Sequence, residues 1–178
     1  MSIELTFAIV SAILAVLSLV GTFIIFNITR HRENYQNLLE RINFYSTPEM
    51  LLAIQKLWTL YRDYKGEFLD KYIETMISDN KKIEKRPQSE RLTLQVTTLH
   101  YQRRLVSQFW KGLAILMKNN LIPRKSVFDW WSQDDIEIIE KVVIPIENRL
   151  AEHYNVPKVN KKTNPLYYLV SVKHKFYK

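Results

Sequence analysis

The chain has 178 residues, a formal net charge of +8 at pH 7 and no cysteine, so its fold cannot depend on disulfide bonds. It contains only three glycines, which argues against β-hairpins and against the glycine-rich loops that bind phosphate groups. The segment 155–178 carries six lysines and no acid, and therefore most of the positive charge. Because the rest of the chain is close to neutral, its charge argues against a dedicated nucleic-acid-binding domain.

The first predicted element is an apolar helix, because residues 5–29 contain no ionisable side chain. A helix of this length spans roughly 37 Å, whereas the hydrocarbon core of a bilayer is about 30 Å thick. A cleaved signal peptide would have a basic start and a shorter apolar run, and a buried helix of a soluble protein would carry a polar face. The sequence therefore predicts a transmembrane helix over residues 1–29.

The charges that flank this helix predict its orientation. Glu4 precedes it, and the basic segment Arg30–Arg32 follows it. Lys and Arg stay on the cytosolic side, so we expect the N-terminus outside and the C-terminal domain in the cytosol, beneath the inner (plasma) membrane. The lipid bilayer is thus the first expected partner.

The remaining residues predict an all-α architecture of three further regions. Helical apolar spacing continues beyond the membrane, so residues 30–46 are interpreted as a juxtamembrane stalk helix. Residues 47–154 predict a cytosolic bundle of about five or six helices, and residues 155–178 a basic tail. Thr47 and Pro48 have the residue types of a helix start, and Gly66 is expected to break or kink the first bundle helix.

Capping residues and prolines predict the helix boundaries in the rest of the bundle. Residues 79–89 are expected to form an exposed loop, and Ser89 to cap a long helix over residues 90–119. A short helix is predicted from Pro123 through Trp131, followed by a capping box at Ser132. A last long helix follows, and Pro145 should kink or split it.

Standard catalytic signatures are missing from the sequence. It holds no Walker loop, no dinucleotide-binding glycine pattern, no nucleophile elbow and no zincin motif. The four histidines are too dispersed to predict a metal site. We therefore expect a protein that is not an enzyme and that uses no cofactor or metal.

The residues most suggestive of a ligand site are His100, Arg103 and Arg104, which are neighbours on a helix. One interpretation is an anion site for a phosphate, a nucleotide or a partner carboxylate. The alternative is a structural arginine that extends to solvent or pairs with an acid. Arg103 falls on the apolar side of its helix, where a buried guanidinium would need a partner.

Two further groups are candidates for contacts with a partner or the membrane. Trp130 and Trp131 are adjacent, so on a helix they point about 100° apart, and one of them is expected to face outward unless the helix is covered on both sides. In the tail, Lys173, Lys175 and Lys178 follow an apolar segment and could approach an anionic membrane surface. The alternatives are core packing for the tryptophans and a solvated tail whose apolar part folds onto the bundle.

The apolar helix carries a pattern of small residues, which we call the small-residue seam. Its members recur at alternating spacings of three and four: Ala8, Ser11, Ala15, Ser18 and Thr22. Small residues let helices approach each other closely in lipid, so the seam predicts self-association or docking on another transmembrane subunit. The alternative is that such residues are common in membrane helices.

The segments Arg103–Trp110, Leu121–Pro123 and Val127–Trp131 resemble a bacterial family of small single-pass membrane proteins. Members of that family carry a cytosolic helical domain of unknown function. The resemblance implies the architecture alone and assigns a role to no residue.

Two functional hypotheses follow from the sequence. The first is a membrane-anchored interaction protein, either an accessory subunit of a membrane complex or a self-assembling module. The second is a membrane-linked sensor or effector, of the stress-response or phage-defence type, that binds an anionic ligand such as a nucleotide near Arg103 and Arg104.

Overall fold

We analysed a computed structural model that describes residues 3–158 and 160–177, with side chains described from residue 14 onward. The described residues form helices, turns and loops without a β-strand, so the predicted all-α class is confirmed. A long N-terminal helix leads into a helical domain. The core of that domain is one cluster of buried apolar side chains.

Helix α1 runs unbroken from Ile3 to Tyr45, which is 43 residues or roughly 65 Å. Neither Gly nor Pro occurs between Thr22 and Thr47, so nothing in that stretch interrupts the hydrogen-bond ladder. From Leu14 the helix is long and apolar enough to cross a membrane, and its apolar stretch has no cover in the described structure. One candidate transmembrane helix is therefore present, and it continues without a break to Tyr45.

Two helices follow on either side of a tight turn. Helix α2 spans Pro48–Tyr64, and its N-cap Thr47 accepts a hydrogen bond from the Met50 amide. A single 3₁₀ turn, Lys65–Glu67, contains Gly66 and separates α2 from α3, which spans Phe68–Glu84. The predicted break at Gly66 is confirmed. The predicted loop over residues 79–89 is wrong in extent, because α3 continues six residues into it.

The helix predicted over residues 90–119 is in fact two helices. Helix α4 spans Gln88–Gln95, and α5 spans Leu99–Lys118. Thr98 is the N-cap of α5 and its hydroxyl accepts a hydrogen bond from the Tyr101 amide at 3.1 Å, which starts a new helix. Ser89 is not a cap, since α4 begins after Pro87 without a side-chain cap.

The next helices have boundaries close to those that the capping residues and prolines predicted. Helix α6 spans Arg124–Trp130, and α7 spans Gln133–Ile138 behind the predicted capping box of Ser132 and Asp135. A π-helical turn, Ile139–Val143, then leads into α8, Ile144–His153. Pro145 cannot donate a backbone hydrogen bond, so the change of ladder just before it agrees with the predicted split.

Helix α9, Pro165–Lys173, lies within the segment interpreted as a tail. Its residues Leu166, Leu169 and Val172 are buried, and the helix packs on α5. The apolar part of the C-terminal segment is thus a component of the domain core.

The end of α1 is held in that core by aromatic contacts. The Tyr45 ring lies 5.3 Å from the Phe109 ring and 5.8 Å from each of the Trp110 and Trp131 rings, measured between centroids. The Tyr45 hydroxyl donates a 2.8 Å hydrogen bond to Asp135. We call these four rings the aromatic joint, because they connect the apolar helix to the domain.

Candidate functional site

Helix geometry separates the two arginines of the predicted anion site. Adjacent helical residues point about 100° apart. Arg103 is buried, with 9% of its surface exposed, whereas Arg104 is exposed. The structure thus does not bring the two guanidinium groups to one ligand.

Arg103 faces a buried carboxylate on α8. Its Nη1 atom lies 3.3 Å from Oε1 of Glu147, a residue with 8% of its surface exposed. The same oxygen accepts hydrogen bonds from Ser107 at 2.5 Å and from Lys111 at 2.7 Å. Residues 103, 107 and 111 are four apart and therefore lie on one face of α5. We call these three residues and Glu147 the Glu147 cluster; it connects α5 to α8.

The sequence interpretation did not identify Glu147. Two signals were available: Arg103 lies on an apolar helix face, and Glu147 falls four residues after Val143 and three before Leu150, which are both buried. An acid on the buried face of one helix is a natural partner for an arginine on the buried face of another.

His100 cannot supply a positive charge at neutral pH. Burial lowers its pKa from the ordinary 6.5 to about 4, and the charges of Arg103 and Arg104 act in the same direction. Its Nδ1 atom lies 3.1 Å from the hydroxyl of Tyr72, a fully buried residue of α3. His100 therefore connects α3 to α5 as a neutral ring.

A cleft remains beside Arg104, between the end of α3 and the start of α5. Its volume is about 270 Å³, slightly below the usual range for a small-molecule pocket. Its polar lining includes Asn80, Gln95, Arg104 and Gln108. Within the described lining, Arg104 is the residue that would attract an anion at neutral pH.

The small-residue seam is open where the structure describes it. The side chains of Ala15, Ser18 and Thr22 are exposed, whereas those of Ala8 and Ser11 lie outside the described residues. The Thr22 hydroxyl donates a 2.8 Å hydrogen bond to the Ser18 carbonyl oxygen, which satisfies this polar group without a partner helix. The Thr22 hydroxyl therefore presents no polar obstacle to close packing at its position.

The two adjacent tryptophans differ sharply in exposure. Trp131 belongs to the aromatic joint and has 3% of its surface exposed, whereas Trp130 has 58% exposed. Trp131 therefore has a packing role, and Trp130 is the one available to a partner.

The lysines of the C-terminal segment also separate into different environments. Lys173 is buried and forms an ion pair with Glu140, so the interpretation of Lys173 as a surface contact is corrected. The physical reason is that Lys173 is the last residue of α9, a helix that packs against the domain core. Lys175 is exposed, and Lys178 lies outside the described residues.

Comparison with protein-family models, with curated proteins and with solved structures gives no match to this chain. The resemblance to a bacterial family of single-pass membrane proteins therefore stays a prediction. Among the side chains that the structure describes, those of residues 14–158 and 160–177, no group of three or more metal-ligating residues is placed to hold an ion.

Proposed function

We propose that this chain is a membrane-anchored, non-enzymatic interaction protein, either an accessory subunit of a membrane complex or a self-assembling module. Its place would be the inner (plasma) membrane, with the N-terminus outside and the helical domain in the cytosol. The observation that carries the proposal is α1, which presents an uncovered apolar surface from Leu14 and then enters the domain core without a break.

The unbroken helix supports a role in assembly because it removes a flexible linker. Leu38 of α1 is buried, and Tyr45 belongs to the aromatic joint. A partner that fixes the rotation of the apolar helix therefore also fixes the orientation of the domain. A subunit that must hold its cytosolic part in one position needs such a connection.

The seam supplies the surface for association. Helices in lipid gain little from apolar burial and associate through close packing, which small side chains permit. Ala15, Ser18 and Thr22 form such a face on α1, and bulky apolar residues cover the opposite face. The preferred partner is accordingly another transmembrane helix, from a second copy or from a different subunit.

The first test fills the seam. We expect the variant Ala15→Leu with Ser18→Leu to lose its oligomer or its partners, because leucine side chains hold the helices apart. A loss of ~1–2 kcal/mol would weaken association roughly 5- to 30-fold. The measurement is the particle mass of the full-length chain, purified from its native membrane in mild detergent, with mass spectrometry of the co-purifying proteins.

The matched control enlarges the opposite face. Leu17→Phe with Val20→Phe adds bulk about 180° from the seam and should leave the assembly unchanged. Equal assembly in the seam variant and the control would remove the seam from the proposal. Equal loss in both would indicate a general effect of bulk in the apolar helix.

The cleft beside Arg104 supports a second candidate function, the sensor or effector that binds an anionic ligand such as a nucleotide. A nucleotide phosphate would meet the Arg104 guanidinium, and the response would pass from α5 through the aromatic joint to α1. The neutral His100 and the inward-facing Arg103 leave one cation for this role, so the support is weaker than for the first proposal.

A panel of nucleotides tests this second candidate. If one binds, we expect an increase in Tm of the full-length chain in detergent, equivalent to about 2.7 kcal/mol at a hundredfold excess over Kd. Arg104→Gln should abolish the increase, whereas Arg86→Gln, a change of another exposed arginine, should preserve it. An unchanged Tm with every nucleotide would count against the candidate.

A further inference from the structure

The end of the domain that faces the apolar helix can be identified from contacts between α1 and α5. A Cβ atom added to Gly112 would lie 3.3 Å from Nη1 of Arg41, so the two helices are close there. Further along α1, the Phe44 ring lies 6.1 Å from the Phe109 ring. Because the residue numbers rise on α1 as they fall on α5, the helices run antiparallel. The C-terminal end of α5 therefore points toward the apolar part of α1.

Helix dimensions give the height of that end. Lys118 is six residues beyond Gly112, which is about 9 Å along α5, and Arg30 is eleven residues before Arg41, which is about 17 Å along α1. The turn after α5 thus lies about 8 Å from the level of Arg30, where the apolar stretch ends. The headgroup layer on each side of a bilayer is ~5–8 Å thick, so this turn would reach it.

The turn has the composition of a surface that contacts anionic lipid. Residues 118–125 contain three cations, Lys118, Arg124 and Lys125, and no acid. None of these three takes part in an ion pair within the described part of the chain. Leu121, at the tip of the turn, has 42% of its surface exposed. Cations around an exposed leucine match a headgroup layer with apolar chains beneath it.

The turn is also held in place by the fold. Asn120 adopts φ 55°, the left-handed conformation that ends α5, and the Leu121 amide donates to the Leu116 carbonyl oxygen at 2.9 Å. The neighbouring Ile122 is fully buried. The Arg124 guanidinium carbon lies 5.7 Å from the centre of the Tyr168 ring. The cations are therefore presented on a fixed structure.

We propose that the turn between α5 and α6, residues 118–125, is a docking surface for anionic phospholipid headgroups on the membrane that α1 spans. Docking gives the domain a second contact with the bilayer and fixes its tilt about the stalk. This inference rests on the proposed membrane anchor and deepens it. It also assigns lipid contact to a segment other than the C-terminal lysines, of which Lys173 is buried.

The chain contains no cysteine, so single labels can be introduced into the full-length protein without other changes. A fluorophore at Asn119→Cys reports on the turn, and one at Leu92→Cys reports on the opposite end of the domain, where Leu92 has 72% of its surface exposed. A third, at Ile25→Cys, reports on the apolar helix. The protein is reconstituted in phosphatidylcholine vesicles with or without about one third phosphatidylglycerol.

Quenchers placed at the headgroup level and in the acyl chains of the lipid provide the measurement. In anionic vesicles we expect the headgroup quencher to reduce the fluorescence of the Asn119 label. In neutral vesicles we expect the quenching of the Asn119 label to fall toward the quenching of the Leu92 label. Lys118→Gln with Lys125→Gln should lower the ratio of docked to free domain roughly 30-fold, since each charge contributes ~1 kcal/mol. The control Lys82→Gln with Lys85→Gln removes two charges near the opposite end and should change nothing.

Each other outcome overturns the proposal in a distinguishable way. Suppose that in anionic vesicles the headgroup quencher acts no more strongly on the Asn119 label than on the Leu92 label, while the acyl-chain quencher still acts on the Ile25 label. This result would refute docking and leave the anchor intact. Equal quenching of Asn119 in neutral and anionic vesicles would refute recognition of anionic lipid. An Ile25 label that the acyl-chain quencher does not reach would refute the anchor, and docking with it.

Discussion

Replacing Glu147 with alanine is expected to lower the free energy of unfolding by ~3–5 kcal/mol, because it leaves Arg103 buried without its carboxylate. The hydroxyl of Ser107 and the ammonium group of Lys111 lose the same acceptor. The measurement is denaturant or thermal unfolding of the full-length chain in detergent, followed by circular dichroism. A loss of this size would identify the Glu147 cluster as the main polar link between α5 and α8.

The control on the same helix is Glu152→Ala. Glu152 is exposed and pairs with Arg149 and Lys158 at the surface, where such pairs contribute less than about 1 kcal/mol. Equal losses for Glu147→Ala and Glu152→Ala would contradict the distinction between a buried and a solvated carboxylate.

A double variant separates the uncompensated charge from lost packing. Glu147→Leu with Arg103→Met replaces the buried pair by apolar side chains of similar size, a change that is often neutral or stabilising elsewhere. We expect it to recover most of the stability that Glu147→Ala loses. If it is as unstable as Glu147→Ala, the cluster stabilises the chain through packing geometry rather than through charge compensation.

Local signals in the sequence predicted the features that depend on local chemistry. Thr47 caps a helix, Gly66 lies in the turn that breaks one, and Ser132 forms a capping box. Each of these effects involves only residues that are close in the sequence. Pro145 lacks an amide hydrogen, so its effect on the ladder does not depend on distant residues. The apolar run of residues 5–29 belongs to the same class, since its length and composition suffice to predict a helix that can span a bilayer.

Features that depend on tertiary packing were less predictable. Leu92 and Val96 share the spacing of Leu99 and Val106, which favoured one long helix with a single buried face. In the structure both Leu92 and Val96 are exposed. A new helix, α5, starts at Thr98, and α4 therefore points away from the core. Periodicity records which residues could be buried, but not whether another element covers them.

The candidate site shows the same limit. The position of Arg103 on an apolar face required a partner, but the partner lies 44 residues away on another helix. The sequence therefore indicated that an acid was needed without identifying Glu147. The seam differs from this cluster, because any partner that covers Ala15 and Ser18 lies in another molecule.

Trp131→Ala is expected to lower the free energy of unfolding by ~3–5 kcal/mol, whereas Trp130→Ala should change it by less than about 0.5 kcal/mol. The two residues are adjacent and identical in type, so each is a control for the other. The Trp131 ring lies 5.9 Å from both the Phe109 and Trp110 rings and 5.8 Å from the Tyr45 ring, so its removal leaves a cavity in the aromatic joint. Unfolding of both full-length variants in detergent measures the difference.

The same pair separates folding from assembly. Because Trp130 is exposed, we expect Trp130→Ala to retain stability and to lose co-purifying partners if the domain uses this ring as a contact. Trp131→Ala should instead loosen the connection between the domain and α1, since Tyr45 is the last residue of that helix. If Trp130→Ala unfolded as early as Trp131→Ala, the outward position of its ring would be wrong. If Trp130→Ala kept both its stability and its partners, assembly would depend on the apolar helix alone.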